Sequence, residues 1–319
     1  MVPVPQDELI TIKQYVRETL ARSGANEVLT YSFVHKNTLT RAGQDASHAF
    51  CLSNALSPDL QYYRLSLMSS LLEKVHMNLR AGYDQFALYE IGKVHFKGEM
   101  DANEPNVPNE DNHVALVIAY GDKQKPDGAA YFQARMYLEQ ITDSFDVQLR
   151  PMNQFDFSTD AWGAQLVSAY DPQRSALLVK DEQIYGVVGE FKQQVRRAFK
   201  LPGYIAGFEV HMELLHIHSK TYRPLSRFPS VTQDVSLVVN DAVAYADVYR
   251  LSHDALKHSS TRHYDLSPLG IYHANDSDTK TITLRLKVTD QQRTLTDADV
   301  AQHIVAITEA TAELGAKQV

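Results

Sequence analysis

The sequence from Arg223 to Val239 reads Arg-Pro-Leu-Ser-Arg-Phe-Pro-Ser-Val-Thr-Gln-Asp-Val-Ser-Leu-Val-Val. Pro224 and Pro229 each favour extended geometry in the preceding residue and remove a backbone donor. The apolar residues that follow alternate with polar ones, at Val235, Leu237 and Val239. This pattern predicts a stiff connector that leads into a strand. Because composition and periodicity differ on its two sides, we place a joint between two domains here, 1–219 and 220–319. The alternative is a surface loop before one more strand.

After this joint, the order of predicted elements is strand, helix, strand, strand, helix and a final short strand. The strands are predicted at Val231–Asn240, His263–Tyr272, Thr279–Thr289 and Ala316–Val319, and the helices at Tyr245–Lys257 and Thr296–Leu314. A βαββαβ order is typical of the ferredoxin-like fold, in which two helices cover one face of a four-stranded antiparallel sheet. The other face of the sheet is then left bare.

The first domain is predicted to be an α+β domain with a mainly antiparallel sheet. Helical periodicity predicts helices at Asp7–Arg22, Ser66–Leu79, Tyr131–Phe145 and Phe191–Phe199, with a helical start at His211–His216. Strands are predicted at Glu27–Val34, Phe86–Phe96, His113–Tyr120, Gln165–Tyr170, Ser175–Lys180, Gln183–Gly189 and Ala206–Val210.

Composition is that of an ordinary globular protein, with 44% hydrophobic and 22% charged residues among 319. No apolar run approaches the length that spans a bilayer, which favours a cytoplasmic protein. The single cysteine, Cys51, excludes an intrachain disulfide and fits a reducing compartment. The net charge of −8 argues against non-specific nucleic-acid binding. Residues 220–319 have a net charge of only −1, so the second domain repels a polyanion less than the first domain does.

Motifs for phosphate loops, dinucleotide folds, zinc proteases and serine hydrolases are absent from the sequence. Two groups of histidines, His211, His216 and His218 and then His253, His258 and His263, lack a carboxylate or thiolate at metal-site spacing. Cys51 lacks a neighbouring base, so a bystander thiol is the favoured interpretation. We therefore predict no metal site and no catalytic residues in this chain.

Several stretches together resemble one family, the phenylalanyl-tRNA synthetase beta subunit of the bacterial type. Arg227-Phe-Pro-Ser-Val-Thr-Gln-Asp-Val-Ser-Leu-Val-Val and Arg293-Thr-Leu-Thr-Asp-Ala-Asp-Val resemble its ferredoxin-fold anticodon-binding domain. Gly24-Ala-Asn-Glu-Val-Leu-Thr-Tyr-Ser-Phe, Asn54-Ala-Leu-Ser-Pro, Arg64-Leu-Ser-Leu and Tyr89-Glu-Ile-Gly-Lys-Val resemble the preceding class II synthetase-like domain. The resemblance spans essentially the whole chain and implies the C-terminal part of a longer subunit, without its upstream editing, tRNA-binding and magnesium-ligand modules.

The resemblance also implies that the first domain is a degenerate copy of a catalytic domain. A class II active site uses two arginines to clamp ATP phosphates. At the comparable positions this chain has Phe96 and Leu214. Lys93 or Lys97 would not offer the planar fork of arginine. We therefore expect no cofactor here, with ATP and magnesium used by the holoenzyme, and no phenylalanine adenylation by this chain alone.

The bare face of the second sheet is the candidate site for tRNA. Alternation places Asp234, Ser236, Arg285 and Lys287 on it, a set that suits the edges and phosphates of unstacked bases. Phe228, Tyr264 and Tyr272 are candidates for base stacking, and Arg227, Arg262 and Arg293 for the rim. A merely solvated face, with Phe228 packed at the joint, remains the alternative.

The leading hypothesis is a non-catalytic portion of a heterotetrameric phenylalanine-tRNA ligase. It would support the catalytic alpha subunit and contact the anticodon region of tRNA. A synthetase-like interaction module without tRNA binding is the second hypothesis, and an enzyme with an unrecognised small-molecule pocket is the third.

Overall fold

A computed structural model describes residues 7–104, 106–121, 125–126, 128–142, 148–215, 225–257, 263–273 and 278–319. The chain divides into two compact units, Met1–Ser219 and Lys220–Val319. Arg223 and Pro224 of the predicted connector lie outside the described residues. Within the described residues, no helix combines the length and the apolar character needed to cross a membrane.

A seven-stranded sheet forms the centre of the first unit, with strand order β1-β4-β5-β9-β8-β7-β6. Its strands, together with a separate two-stranded sheet of β2 and β3, are β1 (Asn26–Glu27), β2 (Phe33–Val34), β3 (Tyr62–Tyr63), β4 (Gln85–Val94), β5 (Asp111–Tyr120), β6 (Gln148–Pro151), β7 (Tyr170–Lys180), β8 (Gln183–Phe191) and β9 (Tyr204–His211). All pairings except the parallel β1–β4 pair are antiparallel.

Helices cover both faces of this sheet. They are α1 (Glu8–Arg22), α2 (Lys36–Arg41), α3 (Leu67–Arg80), α4 (Ala130–Thr142), α5 (Ala161–Leu166) and α6 (Gln193–Phe199). Helices α1 and α4 pack on one face, where Val114, Leu116 and Phe208 point. Helices α3, α5 and α6 pack on the other face, against Ala115 and Val117. Strand β5 is buried on both faces, which explains the nearly continuous apolar run in its sequence.

The helices predicted in the first unit are confirmed, with ends shifted by at most two residues where they are described; the predicted end at Phe145 lies outside the described residues. Helix α1 begins one residue after Asp7, whose side chain accepts a hydrogen bond from the Leu9 N–H at 2.9 Å. The predicted helical start at His211–His216 is only a short 3-10 turn at Met212–Leu214, and His216 lies outside the described residues.

Two strand predictions in the first unit are wrong. The stretch Glu27–Val34 is strand only near its ends, because the backbone and hydroxyl of Thr30 bind the Glu90 carboxylate at 3.3 and 2.7 Å. The stretch Gln165–Tyr170 overlaps the end of α5, whose first turn is capped by a hydrogen bond from the Gly163 N–H to Asp160 at 2.8 Å. In the first stretch, hydrogen bonds to a residue 60 positions away decide the backbone path, and in the second a local capping bond decides it.

The second unit has the predicted βαββαβ order and a four-stranded sheet of order β11-β12-β10-β13. Its elements are β10 (Val231–Asn240), α7 (Tyr245–Lys257), β11 (His263–His273), β12 (Thr279–Thr289), α8 (Asp297–Thr311) and β13 (Lys317–Gln318). Val235, Leu237, Ile282, Leu284 and Leu286 are buried in one core with residues of both helices. The ferredoxin-like prediction is therefore confirmed, and the protein is an α+β protein.

Candidate nucleic-acid interface

The face of the second sheet that lies opposite its helices is lined with polar side chains. Here it is called the open face. Strands β10 and β12 pair in a register that sets Thr232 opposite Lys287, Asp234 opposite Arg285, and Ser236 opposite Thr283. Their neighbours in each strand, such as Val235 and Leu286, are buried. The predicted alternation therefore brings Asp234, Ser236, Arg285 and Lys287 together on this face.

Asp234 and Arg285 form a bidentate ion pair across the two strands. Arg285 Nε donates to Asp234 Oδ1 at 2.8 Å, and Arg285 Nη2 donates to Asp234 Oδ2 at 2.9 Å. This hydrogen bonding lowers the pKa of the Asp234 carboxyl and raises the pKa of Arg285. The pair fixes the guanidinium on the sheet surface, where the Arg285 side chain is 46% exposed.

Hydroxyls and amines extend the open face on both sides of this pair. Ser236 and Thr283 share a hydrogen bond of 2.9 Å between their hydroxyls. Lys287 is exposed and makes no ion pair with any other described residue. Lys317 of β13 pairs with Val238 and adds a second lysine to the face. Sequence reasoning missed Lys317, although the short terminal strand that holds it was predicted.

The two tyrosines of β11 lie on different faces. Tyr264 pairs with the buried Val288 and packs partly buried against the core of the second unit, so the structure removes it from the open face. Side chains two positions apart in a strand lie on the same face, and Leu266 is buried. Tyr264 therefore lies on the core side of β11. Tyr272 pairs with Thr281, beyond an irregularity between Pro268 and Gly270, and is 71% exposed. Tyr272 is therefore the better placed of the two for stacking on a base.

Arg227 and Phe228 lie in the loop that precedes β10. The Phe228 N–H donates to Ser226 Oγ at 3.0 Å, and Ser226 Oγ donates to the carbonyl of Asp290 at 2.6 Å. These bonds tie the loop before β10 to the loop after β12. Phe228 is half-buried and Arg227 is exposed, at the end of the sheet that carries Lys287.

Arg293 lies in the loop after β12 and pairs with Asp299 in the first turn of α8. Arg293 Nη1 donates to Asp299 Oδ2 at 2.9 Å, and the Thr296 N–H donates to the same oxygen at 2.9 Å. The hydrogen bond from Arg293, followed by that from Thr296, holds the pKa of Asp299 well below its usual range. Arg293 therefore stabilises the first turn of α8 through Asp299. Arg262 lies outside the described residues.

In the first unit, apolar packing surrounds the two positions where a class II enzyme would need arginine. Phe96 stacks on the His48 ring with centroids 5.3 Å apart, and Leu214 is 2% exposed. Lys93 forms an ion pair with Glu110, so the charge of Lys93 is already compensated.

A cavity of about 540 Å³ opens at one end of the first sheet, and it is here called the acidic cavity. Its carboxylates are Glu99, Asp111, Asp156, Asp160, Glu182 and Glu213. Phe155, Trp162, Tyr185 and His211 complete most of its wall. ATP does not fit this chemistry, because its phosphates would face carboxylates without an arginine fork. The described residues also contain no group of three or more His, Cys, Asp or Glu side chains that could hold a metal ion.

Two buried polar clusters stabilise the same unit. Glu209, which is fully buried, accepts hydrogen bonds from the Leu67 and Met68 N–H groups at 3.0 Å each, and lies 2.8 Å from His113 Nδ1. Glu209 therefore caps α3, since the side chain of Ser66 at the N-cap makes no capping bond. Arg64 and Glu90 form the second cluster, an ion pair of 2.8 Å with both side chains almost fully buried.

Family models match both units of the chain. Residues 226–318 match the family model of the ferredoxin-fold anticodon binding domain. Residues 1–212 match the model described as the phenylalanyl tRNA synthetase beta chain CLM domain. The chain belongs to the phenylalanyl-tRNA synthetase beta chain family, as the sequence motifs predicted.

Curated relatives agree with this assignment. The chain is 26% identical over 312 residues to the phenylalanine-tRNA ligase beta subunit of Staphylococcus saprophyticus, covering 94% of this chain and 36% of that protein. It is 25% identical over 316 residues to the same subunit of Streptococcus pyogenes serotype M1, covering 96% and 38%. The chain thus spans little more than a third of the length of these relatives. Among solved structures, a pyrrolysyl tRNA synthetase from Desulfitobacterium hafniense matches with a TM-score of 0.47 at 14% identity, covering 64% of this chain and 66% of that one.

Proposed function

We propose that this chain is a non-catalytic part of a cytoplasmic phenylalanine-tRNA ligase. In this proposal the first unit supports the catalytic alpha subunit, and the open face of the second unit contacts the anticodon region of tRNA. The observation that carries the proposal is the Asp234–Arg285 pair, set among Ser236, Thr283 and Lys287 on a sheet face without helices. This face belongs to a unit that matches an anticodon-binding family.

The chemistry of the open face suits single-stranded RNA. Unstacked bases are recognised by hydrogen bonds to their edges and by stacking on aromatic rings. Arg285 supplies donors in a fixed orientation, and the second lone pairs of the Asp234 oxygens accept from base amino groups. Tyr272 offers an exposed ring, and Lys287 offers a cation for a phosphate. Because the pair is ordered before RNA binds, less side-chain entropy is lost on binding.

The tRNA contact is tested by Arg285→Ala, with Arg250→Ala as the matched control. Arg250 is an exposed arginine of α7, on the helix-covered side of the same sheet. We expect Arg285→Ala to weaken binding of a tRNA with a phenylalanine anticodon about tenfold, and Arg250→Ala to change it less than about twofold. The free energy of unfolding of both variants should lie within about 0.5 kcal/mol of that of the parent.

Equal affinity of both variants for tRNA, with a lower melting temperature for Arg285→Ala, would show that Arg285 has a structural role. If in addition the parent chain did not bind tRNA at low salt, the interaction module without tRNA binding would be favoured. Filter binding at several salt concentrations separates these outcomes, because phosphate contacts are salt-dependent.

The supporting role of the first unit is a separate part of the proposal. It is favoured by the apolar packing of Phe96 and Leu214 and by the carboxylates that line the acidic cavity. We expect the purified chain to show no phenylalanine-dependent exchange of pyrophosphate into ATP. We expect it to co-purify with a phenylalanine-tRNA ligase alpha subunit. In this proposal ATP and magnesium are used by the holoenzyme, so clear exchange by the chain alone would overturn the non-catalytic role.

A further inference from the structure

Helices α2, α3 and α6 pack against one another on one side of the first sheet and carry a concentrated positive charge. Together with Lys192 and Lys200, which flank α6, they hold eight Lys and Arg residues and one acidic residue, Glu73. The rest of residues 1–219 holds 12 Lys and Arg against 26 Asp and Glu. The net charge of this unit therefore conceals a basic surface, here called the basic helical layer. Its cations are Lys36, Arg41, Lys74, Arg80, Lys192, Arg196, Arg197 and Lys200.

Backbone carbonyls hold two arginines of the layer in place without neutralising them. Arg41 Nε and Nη2 donate to the Ala198 carbonyl at 3.1 and 2.9 Å, and Arg196 Nη2 donates to the Gly203 carbonyl at 3.1 Å. A carbonyl fixes the side chain but has no net charge to offset that of the guanidinium. Glu73 meets only Arg41, at 3.5 Å. The layer therefore keeps its positive charge, and part of that charge is fixed in position.

Four further cations of the layer are exposed, namely Lys36, Arg80, Arg197 and Lys200. None of the four forms an ion pair with another described residue. Because like charges on neighbouring helices repel each other, the free protein bears an electrostatic cost that a bound polyanion would remove.

A groove of about 580 Å³ lies between α2 and α6. Its lining is mostly polar and consists of Asn37, Thr40, Arg41, Gly43, Gln194 and Ala198. Residues three or four positions apart on a helix lie on the same face, so Lys36 lies beside Thr40 and Arg197 beside Gln194. Lys36 and Arg197 therefore flank the groove, one on each helix.

The composition of the layer favours the backbone of an RNA duplex over other polyanions. Its single Phe, Tyr or Trp residue is Phe199, which is buried beneath the Arg41 guanidinium, 4.0 Å from the ring centroid. Single strands are bound by stacking on exposed rings, which the layer does not offer. A protein partner needs an apolar centre, and Met77 is the only large apolar side chain that the layer exposes. A duplex instead presents phosphates and 2′-hydroxyls, which suit cations around a polar groove.

We propose that the basic helical layer binds the phosphate backbone of double-stranded RNA, such as a tRNA stem. Lys36 and Arg197 contact phosphates on the two sides of the groove, and the side chains of Asn37, Thr40 and Gln194 bind 2′-hydroxyls between them. This contact is independent of base sequence. It lies on the first unit and does not depend on the anticodon contact proposed for the open face.

Fluorescence anisotropy with a labelled RNA duplex of about 16 base pairs, titrated with the whole chain at several salt concentrations, tests the proposal. The duplex contains no anticodon loop. The combined substitution Lys36→Gln and Arg197→Gln should weaken binding about tenfold and lower the slope of log K against log salt by about 1.5, because two phosphate contacts are removed. The melting temperature should not change, since both side chains are exposed.

Arg22→Gln combined with Lys97→Gln is the matched control, since both are exposed cations of the same unit outside the layer. We expect it to change duplex affinity less than about twofold. Equal weakening by the two pairs would overturn the proposal, as would tighter binding of single-stranded RNA or equal competition by polyglutamate of the same charge. The measurement is repeated in an Arg285→Ala background. The same tenfold loss there supports a separate site on the first unit, whereas disappearance of the loss would assign the duplex to the open face and overturn it.

Discussion

Replacing Glu209 by glutamine should destabilise the first unit by about 3 kcal/mol. The Glu209 carboxylate is fully buried and accepts from the first two N–H groups of α3 at 3.0 Å each. Glutamine has nearly the same shape but only one acceptor oxygen. One helix N–H would then lose a charge-assisted bond worth about 1.5–3 kcal/mol and face an amide donor instead. The contact with His113 Nδ1 would also lose its charged partner.

Trp162 fluorescence reports this change directly, because the only tryptophan lies in the first unit. For a unit of this size, about 3 kcal/mol corresponds to a fall in melting temperature of about 6–12 °C. The control is Glu213→Gln, on the same segment but with an 81% exposed side chain. We expect it to cost less than about 0.5 kcal/mol.

A loss below about 1 kcal/mol for Glu209→Gln, or equal losses for both variants, would refute the reasoning, since α3 would then not depend on this carboxylate. Urea denaturation at two protein concentrations separates true destabilisation from aggregation.

Three further predictions concern other parts of the molecule. Gly92→Ala should cost the first unit about 3–5 kcal/mol, because an added Cβ would displace Arg64 from its buried pair with Glu90; Gly270→Ala, in open space, is the control. Urea denaturation in an Arg64→Met background should show a smaller cost, and an undiminished cost would place the strain elsewhere. Asp299 has a depressed pKa in the folded state, so its contribution is present above its unfolded pKa of about 3.9 and is lost as the pH falls. The difference in melting temperature between the parent and Asp299→Asn should therefore shrink below about pH 4, and a constant difference would contradict this. Lys287→Ala should reduce the salt dependence of tRNA binding by about 0.7 in the slope of log K against log salt, and an unchanged slope would show that Lys287 does not contact a phosphate.

The second unit was predictable from sequence almost residue by residue. The strands at Val231–Asn240 and Thr279–Thr289 were predicted with the observed ends, because one of their faces is buried and the other is not. The same alternation correctly placed Asp234 and Arg285 on one face. It could not show that they bind each other, because pairing depends on the register between strands.

Features that depend on contacts between distant parts of the chain were not predictable from the sequence, and the first unit shows why. Its helix α3 is capped by Glu209, which lies 142 residues from Leu67 along the chain. The acidic cavity likewise combines residues from Glu99 to Glu213, which share no motif. Tyr264 was proposed for stacking from its residue type alone, whereas the buried Leu266 two positions later determines that it faces the core. Contacts of this kind arise from the tertiary fold and leave no local pattern.

Strand β9 is the last strand of the first unit along the chain, yet it lies between β5 and β8 in the sheet. During synthesis on the ribosome, the sheet can therefore exist only as two halves until Tyr204–His211 has emerged. Each half then presents an unpaired apolar edge, and such edges pair readily with other chains. Nascent chains of this protein should need protection by chaperones until that strand is made, and a ribosomal stall just before Tyr204 should leave them prone to aggregation.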